Sequence, residues 1–268
     1  MIAKPESRFL TDTRKRECRE AARQVLRKYH VESPEAIDLD SIAWFLGRLK
    51  IKDGGLNGAE GRIIAGTRQG GTIRVGEGQN RGRYRFTIAH ELGHYVLHRR
   101  HFLDATETRA HFTVWNDASE EAEANIFAAE LLMPDYLFKP LCRKDRPSLR
   151  LVEELSSTFQ TSLLATTFQF HEYINRQVAF VVSDGWEIKT IRPFEGGFPR
   201  IRRGRIHEHS AAGERLLKKS PDSGKMVRTS LYAWCEGFDE KSDRDVWEDS
   251  LYLEWYDRTV TLLWLRDE

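Results

Sequence analysis

The chain has 268 residues, of which 40% are hydrophobic and 11% aromatic, and this composition excludes an intrinsically disordered protein. The length suffices for one large domain or two modest ones, each with a core that needs no disulfide staples. Lys and Arg together number 42 against 41 for Asp and Glu, a balance that excludes a uniformly basic nucleic-acid coat protein.

The three cysteines, Cys18, Cys142 and Cys235, are widely spaced and form no CxxC pair. An odd, scattered set argues against a secreted disulfide scaffold and against a cysteine-cluster zinc site, and it favours a reducing cytoplasm. No apolar run approaches the roughly 20 residues that a membrane helix needs, and the N-terminal residues lack the apolar core of a signal peptide. We therefore expect a cytoplasmic protein that has no membrane partner.

The first half of the chain is predicted to be mainly helical. Apolar side chains at helical spacing predict helices over residues 12–29 and 39–48, the second with Gly47 near its end. Short β-prone segments follow, at residues 50–52, 61–64 and 72–75. Residues 84–99 and 119–132 form the two clearest central helices, and a Met-Pro pair ends the second because proline cannot continue a helix.

Residues 149–174 have the texture of a helix-turn-helix module, with two short helices around a Gln-Thr-Ser turn. A module that reads DNA should carry basic side chains on its second helix. Residues 162–174 contain no Lys or Arg. We therefore favour a packing or substrate-docking role for this module over DNA binding.

The character of the chain changes near residue 175. From about residue 177 it is strand-rich, and an Asp-Gly pair at residues 184–185 is a hairpin signal. We therefore predict two domains, residues 1–175 and residues 176–268.

The strongest chemical signal is the run His90-Glu91-Leu92-Gly93-His94, which lies inside a predicted helix. Histidines four residues apart lie one above the other on one helical face, so both imidazoles can bind one metal ion. A catalytic zinc site takes three protein ligands and a water, whose pKa the metal lowers toward about 7. Glu91 is placed to take the proton from that water. The alternative is a surface helix with two incidental histidines.

A third ligand is needed to complete such a site. The pattern with a glycine three residues and a histidine six residues after the motif is excluded, because Leu97 and Arg100 stand there. The alternative is a carboxylate on the second central helix, residues 119–132.

Several glutamates stand at the start of that second helix. Glu121 lies on a stripe of small residues that can pack against Gly93, and Glu123 is turned about 200° away from it, so the two cannot bind the same ion. We take Glu121 as the ligand and Glu123 as the fallback. The alternative for each of these glutamates is a favourable charge at a helix N-terminus.

Two blocks of sequence and their separation resemble the ImmA/IrrE family of zinc metallopeptidases. The blocks are residues 85–98, around the HExxH motif, and residues 121–134; residues 38–47 also look like the entry helix of that family. The resemblance covers roughly residues 15–175. It implies a mainly helical, zincin-like peptidase core with a small β-sheet for that region and says little about residues 176–268. Together with the strand-rich residues 176–268, which we interpret as a smaller β-rich C-terminal domain and a candidate sensor, the expected fold class is α+β.

The resemblance also implies an activity. His90, His94 and Glu121 would hold one zinc ion per chain, which favours Glu121 over Glu123, and Glu91 would be the catalytic residue. The implied reaction is a limited cut in a helix-turn-helix transcriptional repressor, which would derepress genes for stress response, mobile-element excision or phage defence. The competing hypothesis is a non-catalytic regulator that binds a repressor or nucleic acid and keeps zinc for structure.

Peptide hydrolysis also needs a donor for the developing oxyanion. Tyr95 and Asn125 are the candidates for that role or for support of the zinc ligands, and His98, His111 and nearby arginines are also available. The sequence does not choose among them. His98 is interpreted first as a histidine near a helix C-terminus, where the helix dipole favours it.

An arginine cluster lies in the C-terminal region, with Phe194 and Phe198 nearby. It consists of Arg200, Arg202, Arg203 and Arg205. Arginines interleaved with aromatic residues can bind single-stranded nucleic acid, so single-stranded DNA is a candidate activator after DNA damage. The alternative is pairing with the acidic residues 236–268, which hold eleven Asp or Glu and four Lys or Arg.

One cysteine is a candidate regulatory thiol. Cys142 follows the second central helix, and a thiolate on a mobile loop could occupy the open position of a zinc ion. The ordinary interpretation is a small buried residue.

Overall fold

A computed structural model describes residues 10–56, 60–65, 70–103, 118–143, 146–194, 196–219 and 225–265. Two compact units are distinguished, Met1–Phe138 with Ser157–Ser162 and Lys139–Ser156 with Leu163–Glu268. Helices and a small sheet build the first unit and a larger sheet dominates the second, so the predicted α+β class is confirmed.

Helices build most of the first unit. They are α1 (Asp12–Lys28), α2 (Leu39–Gly47), α3 (Arg81–Leu103) and α4 (Ala118–Leu132). α1 begins where the Thr11 hydroxyl accepts a hydrogen bond from the backbone N–H of Arg14, and α2 where the Asp38 carboxylate accepts one from Asp40. α2 ends with Arg48 in the left-handed conformation, at a φ of 53°.

α3 packs along α4, and α1 packs against α4 as well. Gly93 lies at the crossing of α3 and α4, against Ala124 and Phe127. The stripe of small residues predicted for this contact is present. This packing brings the histidine-bearing face of α3 to the first half of α4.

A three-stranded sheet completes the first unit. Its strands are β1 (Leu49–Asp53), β2 (Gly61–Ala65) and β3 (Gly71–Val75), in the order β1-β3-β2. β3 pairs in parallel with β1 and antiparallel with β2. β2 is therefore an edge strand, and it lies against α3.

Three short helices follow α4 along the chain: α5 (Asp135–Cys142), α6 (Leu149–Phe159) and α7 (Leu163–Tyr173). The two helices predicted around residues 160–162 are thus present as α6 and α7. The change from one compact unit to the other falls within α5, again within α6, and a third time at the start of α7. The division into a peptidase domain that ends at residue 175 and a separate C-terminal domain stays a prediction.

The second unit is built on a five-stranded antiparallel sheet. Its strands are β4 (Val178–Asp184), β5 (Glu187–Arg192), β6 (Val227–Ser230), β7 (Asp245–Leu253) and β8 (Arg258–Trp264), in the order β5-β4-β8-β7-β6. The predicted hairpin at residues 184–185 joins β4 to β5, with Gly185 at a φ of 48°. The short helices α8 (Ala211–Lys218) and α9 (Leu231–Trp234) contribute to the core on one face of the sheet.

Two buried carboxylates of β7 accept hydrogen bonds from backbone N–H groups at helix N-termini of the second unit. Glu248 accepts hydrogen bonds from the backbone N–H groups of Ala211 and Ala212 at the start of α8, and from the indole Nε1 of Trp234. Asp249 accepts one from Leu149 at the start of α6. These acidic residues therefore have a structural use within the fold.

Among the residues that the structure describes, no helix combines the length and the apolar character needed to cross a membrane.

Candidate metal centre

His90 and His94 stand one turn apart on α3 and direct the same ring nitrogen to one point. Their Nε2 atoms are 3.0 Å apart, and the two rings meet edge to face. His94 is fully buried and His90 partly so. The motif thus places two imidazole nitrogens where one ion can contact both, as the helical spacing predicts.

Glu121 of α4 supplies a carboxylate at the same point. Its Oε2 lies 3.2 Å from Nε2 of His90, and its Oε1 lies 3.3 Å from Nε2 of His94. Within the described part of the chain these three residues are the one group of at least three His, Cys, Asp or Glu whose ligand atoms come within 4.8 Å of one another. We define them as the metal triad.

The electrostatics of the metal triad favour a cation. Burial alone would raise the pKa of Glu121, but the hydrogen bonds to His90 and His94 outweigh burial and lower the pKa to about 2. Burial lowers the pKa of His94. Burial also opposes protonation of His90, but the hydrogen bond to Glu121 raises its pKa. An ionised carboxylate beside a neutral histidine is the state in which these groups bind metal.

Glu91 is buried on the side of α3 that faces β2. Gly61 of β2 is required there, because a Cβ at that position would lie 3.0 Å from Oε1 of Glu91 and would collide with Thr87. Burial raises the pKa of Glu91 to about 7, although the nearby charge of His90 and a hydrogen bond from the backbone of Ile63 oppose the rise. Oε2 of Glu91 has no hydrogen-bond partner among the described residues. The carboxylate is therefore poised to exchange a proton near neutral pH.

The structure separates Glu123 from the metal triad. Its carboxylate bonds instead to Nε2 of His98 at 2.9 Å and to Nε and Nη2 of Arg14, on α1, at 2.8 and 2.5 Å. Glu121, and not Glu123, is therefore the carboxylate that α4 brings to the two histidines of the motif. The contact of Arg14 with Glu123 carries no local sequence signal, because the two residues are 109 positions apart.

His98 is not near the end of its helix, because α3 continues to Leu103. The expectation that the helix dipole explains this histidine is therefore corrected. His98 is buried, and its Nδ1 lies 3.2 Å from Nδ1 of His94. Its spacing of four residues from His94 was the sequence signal for this contact, since such residues share a helical face.

Asn125 and Tyr95 occupy different surroundings. The side-chain oxygen of Asn125 lies 2.9 Å from Nδ1 of His90, where it can support the orientation of that ring. Tyr95 is buried, and a Cβ on Gly47 of α2 would collide with its hydroxyl. Whether either residue stabilises an oxyanion stays a prediction. His111 lies outside the described residues.

The arginine cluster belongs to the second unit. Arg200 pairs with Glu236 at 3.1 Å, and Arg205 lies over the ring of Trp186 at 4.8 Å. Arg202 donates to the carbonyls of Cys235 and Phe238. The members are Arg200, Arg202, Arg203 and Arg205, of which all but Arg202 are exposed. Three of the four arginines thus have contacts within the fold, and binding of nucleic acid by the cluster stays a prediction.

Cys142 is fully buried in α5, and burial raises the pKa of its thiol to about 12. Because the thiolate is the metal-binding form, these surroundings disfavour ligation at neutral pH. The regulatory role proposed for this thiol stays a prediction.

One family model matches part of the chain. Residues 52–171 match the family model described as the IrrE N-terminal-like domain, Peptidase_M78. Among the solved structures that match is a Mycobacterium tuberculosis transcriptional regulator, with a TM-score of 0.58 over 92% of this chain and 76% of that one. The sequence identity is 14%, so this likeness shows the fold alone. No curated protein matches the chain significantly.

Proposed function

We propose that the chain is a zinc-dependent endopeptidase, on the premise that residues 52–171 match the IrrE N-terminal-like domain model, Peptidase_M78. The matched residues include the whole metal triad and Glu91. The observation that carries the proposal is the convergence of His90, His94 and Glu121 on one point beside a buried carboxylate of raised pKa. A metal ligand set and a general base are the two parts that metal-assisted hydrolysis requires.

The residues of the metal triad fit zinc. Two imidazole nitrogens and one carboxylate form the three-ligand donor set typical of catalytic zinc sites. Glu91 adds a buried carboxylate oxygen that has no hydrogen-bond partner among the described residues. A purely structural site has no use for such a group, whereas a hydrolytic site needs it to hold a proton.

The chain's own residues perform the proton transfers of the proposed reaction. When bound, the metal ion supplies a Lewis acid that activates water and polarises the scissile carbonyl. Glu91 takes the proton of the attacking water, and it then delivers that proton to the nitrogen of the leaving amine as the C–N bond breaks. Asn125 holds His90 at its Nδ1. A further donor for the oxyanion is required, and Tyr95 is our proposal for it.

Among the described strands, none pairs with β2 on the side away from β3, so this edge offers a binding surface for an extended peptide. The N–H of Gly76 donates to the carbonyl of Glu60, so residues 60, 62 and 64 direct their backbone groups toward β3. Gly61 and Ile63 therefore direct theirs to the open edge, and the backbone of Ile63 bonds to Glu91 there. A peptide that pairs with this edge passes beside Glu91.

The substrate that we propose is a helix-turn-helix transcriptional repressor. The membership of the peptidase domain in the IrrE-like family supports this choice. Limited cleavage would inactivate the repressor and turn on genes for stress response, mobile-element excision or phage defence, and the reaction would take place in the cytoplasm where repressors act. DNA damage, sensed as single-stranded DNA by the arginine cluster, is the trigger that we propose.

Co-expression with a helix-turn-helix protein encoded beside the gene tests this function. The intact mass of that protein is measured with wild type and with Glu91→Gln, with and without DNA damage. We expect a discrete fragment with wild type alone, and equal zinc content in both forms. A folded, zinc-loaded Glu91→Gln protein that still controls the repressor would establish the competing hypothesis, a non-catalytic binding protein.

A further inference from the structure

We infer that His98, Glu123 and Arg14 form a hydrogen-bonded relay that holds His94 in the tautomer and orientation required of a metal ligand. These three residues are the His98 relay. The inference rests on the proposed metal site and adds positioning residues to it. None of the three residues contacts the metal point itself, so each acts through His94.

The relay is an unbroken chain of contacts. Nδ1 of His94 lies 3.2 Å from Nδ1 of His98, and Nε2 of His98 lies 2.9 Å from Oε2 of Glu123. Glu123 in turn accepts two hydrogen bonds from the guanidinium of Arg14. The relay therefore links α1, α3 and α4, the three helices that pack around the site.

With a metal ion at the metal triad, one placement of protons satisfies all these contacts. His94 presents Nε2 to the metal point, so its Nε2 must carry a lone pair and its proton must sit on Nδ1. That N–H donates to Nδ1 of His98, whose own proton must then sit on Nε2. The His98 Nε2–H donates to the carboxylate of Glu123. Each step fixes the next, so the acceptor at Glu123 determines the tautomer at His94.

Burial favours this one placement of protons over the others. His94, His98 and Glu123 are all buried, so water does not readily replace a missing partner. The guanidinium of Arg14 pairs with the carboxylate of Glu123 through two hydrogen bonds. Without this pair, the buried carboxylate would destabilise the fold.

The two histidine ligands are supported unequally. His90 bonds to the neutral amide of Asn125. His94 instead contacts His98, and His98 bonds to the carboxylate of Glu123, which is paired with Arg14. A charged acceptor gives the stronger hydrogen bond. Loss of the His98 relay should therefore weaken the metal site, and removal of such outer partners typically reduces metal affinity by about 10- to 100-fold.

The chain provides a matched control. Arg23, also on α1, pairs with Glu130 of α4 at 3.4 Å, and the Glu130 side chain is fully buried. This second Arg–Glu pair joins the same two helices, and neither of its residues belongs to the metal triad or to the His98 relay. Glu130→Gln should therefore reduce stability and leave the zinc dissociation constant unchanged.

The first measurement is zinc affinity by chelator competition, with circular dichroism to confirm folding. His98→Phe, which removes the acceptor, should lose about 10- to 100-fold in affinity. His98→Asn restores an oxygen near the position of Nδ1 and should recover part of the loss. Glu130→Gln should bind like wild type. Folded His98→Phe with wild-type affinity would overturn the inference while leaving the proposed function intact.

The second measurement determines the tautomers directly, by long-range ¹H–¹⁵N correlation of the imidazole nitrogens in the zinc-loaded protein. Zinc is needed because in the metal-free protein Nε2 of His94 can donate to Glu121 instead. We expect the proton of His94 on Nδ1 and that of His98 on Nε2 in wild type. A His98 proton on Nδ1 would contradict the relay and leave the proposed function intact, whereas a folded wild type that binds no zinc would refute the proposed function.

Discussion

Gly93 of α3 rests directly on the backbone of Ala124 of α4. A Cβ at position 93 would lie 3.1 Å from both the Cα and the carbonyl oxygen of Ala124, tighter than an ordinary contact. Because the neighbour is backbone, it cannot rotate away. The separation of α3 and α4, and with it the distance from the two histidines to Glu121, depends on the absence of a side chain at Gly93.

The first prediction is that substitution of Gly93 weakens zinc binding in proportion to side-chain size. Gly93→Ala should destabilise the fold by about 1–3 kcal/mol, the usual cost of overpacking, and Gly93→Val should cost more and reduce zinc affinity. Urea unfolding and chelator competition measure the two effects. A Gly93→Val protein that binds zinc like wild type would show that the helix separation does not control the site.

The second prediction concerns the third ligand. Glu121→Ala removes the carboxylate shared by His90 and His94, so most bound zinc should be lost. Glu120→Ala, on the same turn of α4, is the control and should retain one zinc per chain. Elemental analysis of the purified proteins gives the ratio. Stoichiometric zinc in Glu121→Ala would overturn the assignment of this ligand.

The third prediction separates stability from chemistry. Glu248→Ala removes the buried acceptor of Ala211, Ala212 and Trp234, so it should lower the free energy of unfolding by at least about 3 kcal/mol. Zinc content should not change, because none of these residues belongs to the metal triad. The exposed Glu254→Ala is the control. Equal unfolding midpoints for the two variants would contradict the structural role of Glu248.

The fourth prediction is a loss of stability in alkali. Burial raises the pKa of Cys18 and Cys235 to about 11 and that of Cys142 to about 12, above the ordinary value of 9.0. The native chain therefore keeps thiol protons that the unfolded chain releases. The contribution of these groups to stability is constant below about pH 9 and falls as pH rises through the raised values.

Urea unfolding at about pH 8 and pH 10 tests this. Wild type should lose more free energy of unfolding between the two values than a variant with Cys18→Ala, Cys142→Ala and Cys235→Ala. An equal loss in both proteins would mean that other groups carry the alkaline sensitivity.

Much of the molecule follows from local patterns. The spacing of His90 and His94 on a helix places both rings on one face, whatever the rest of the fold. The Asp184-Gly185 pair predicts a hairpin, because glycine readily adopts the positive φ that the turn requires. The sequence also predicted the central helices, although it ended α3 several residues before Leu103.

Other features depend on packing between distant segments. The stripe of small residues and the family resemblance favoured Glu121 over Glu123. Local spacing alone leaves the choice open, because it depends on how α4 is rotated against α3. His98 bonds to Glu123, and Glu123 is paired with Arg14, which lies 109 positions away on α1. This pairing therefore depends on how α1 packs against α4. By itself the sequence determined which residues share one helical face. Only the tertiary structure decided which carboxylate meets which histidine, because contacts between helices follow from burial of the whole core and not from local spacing.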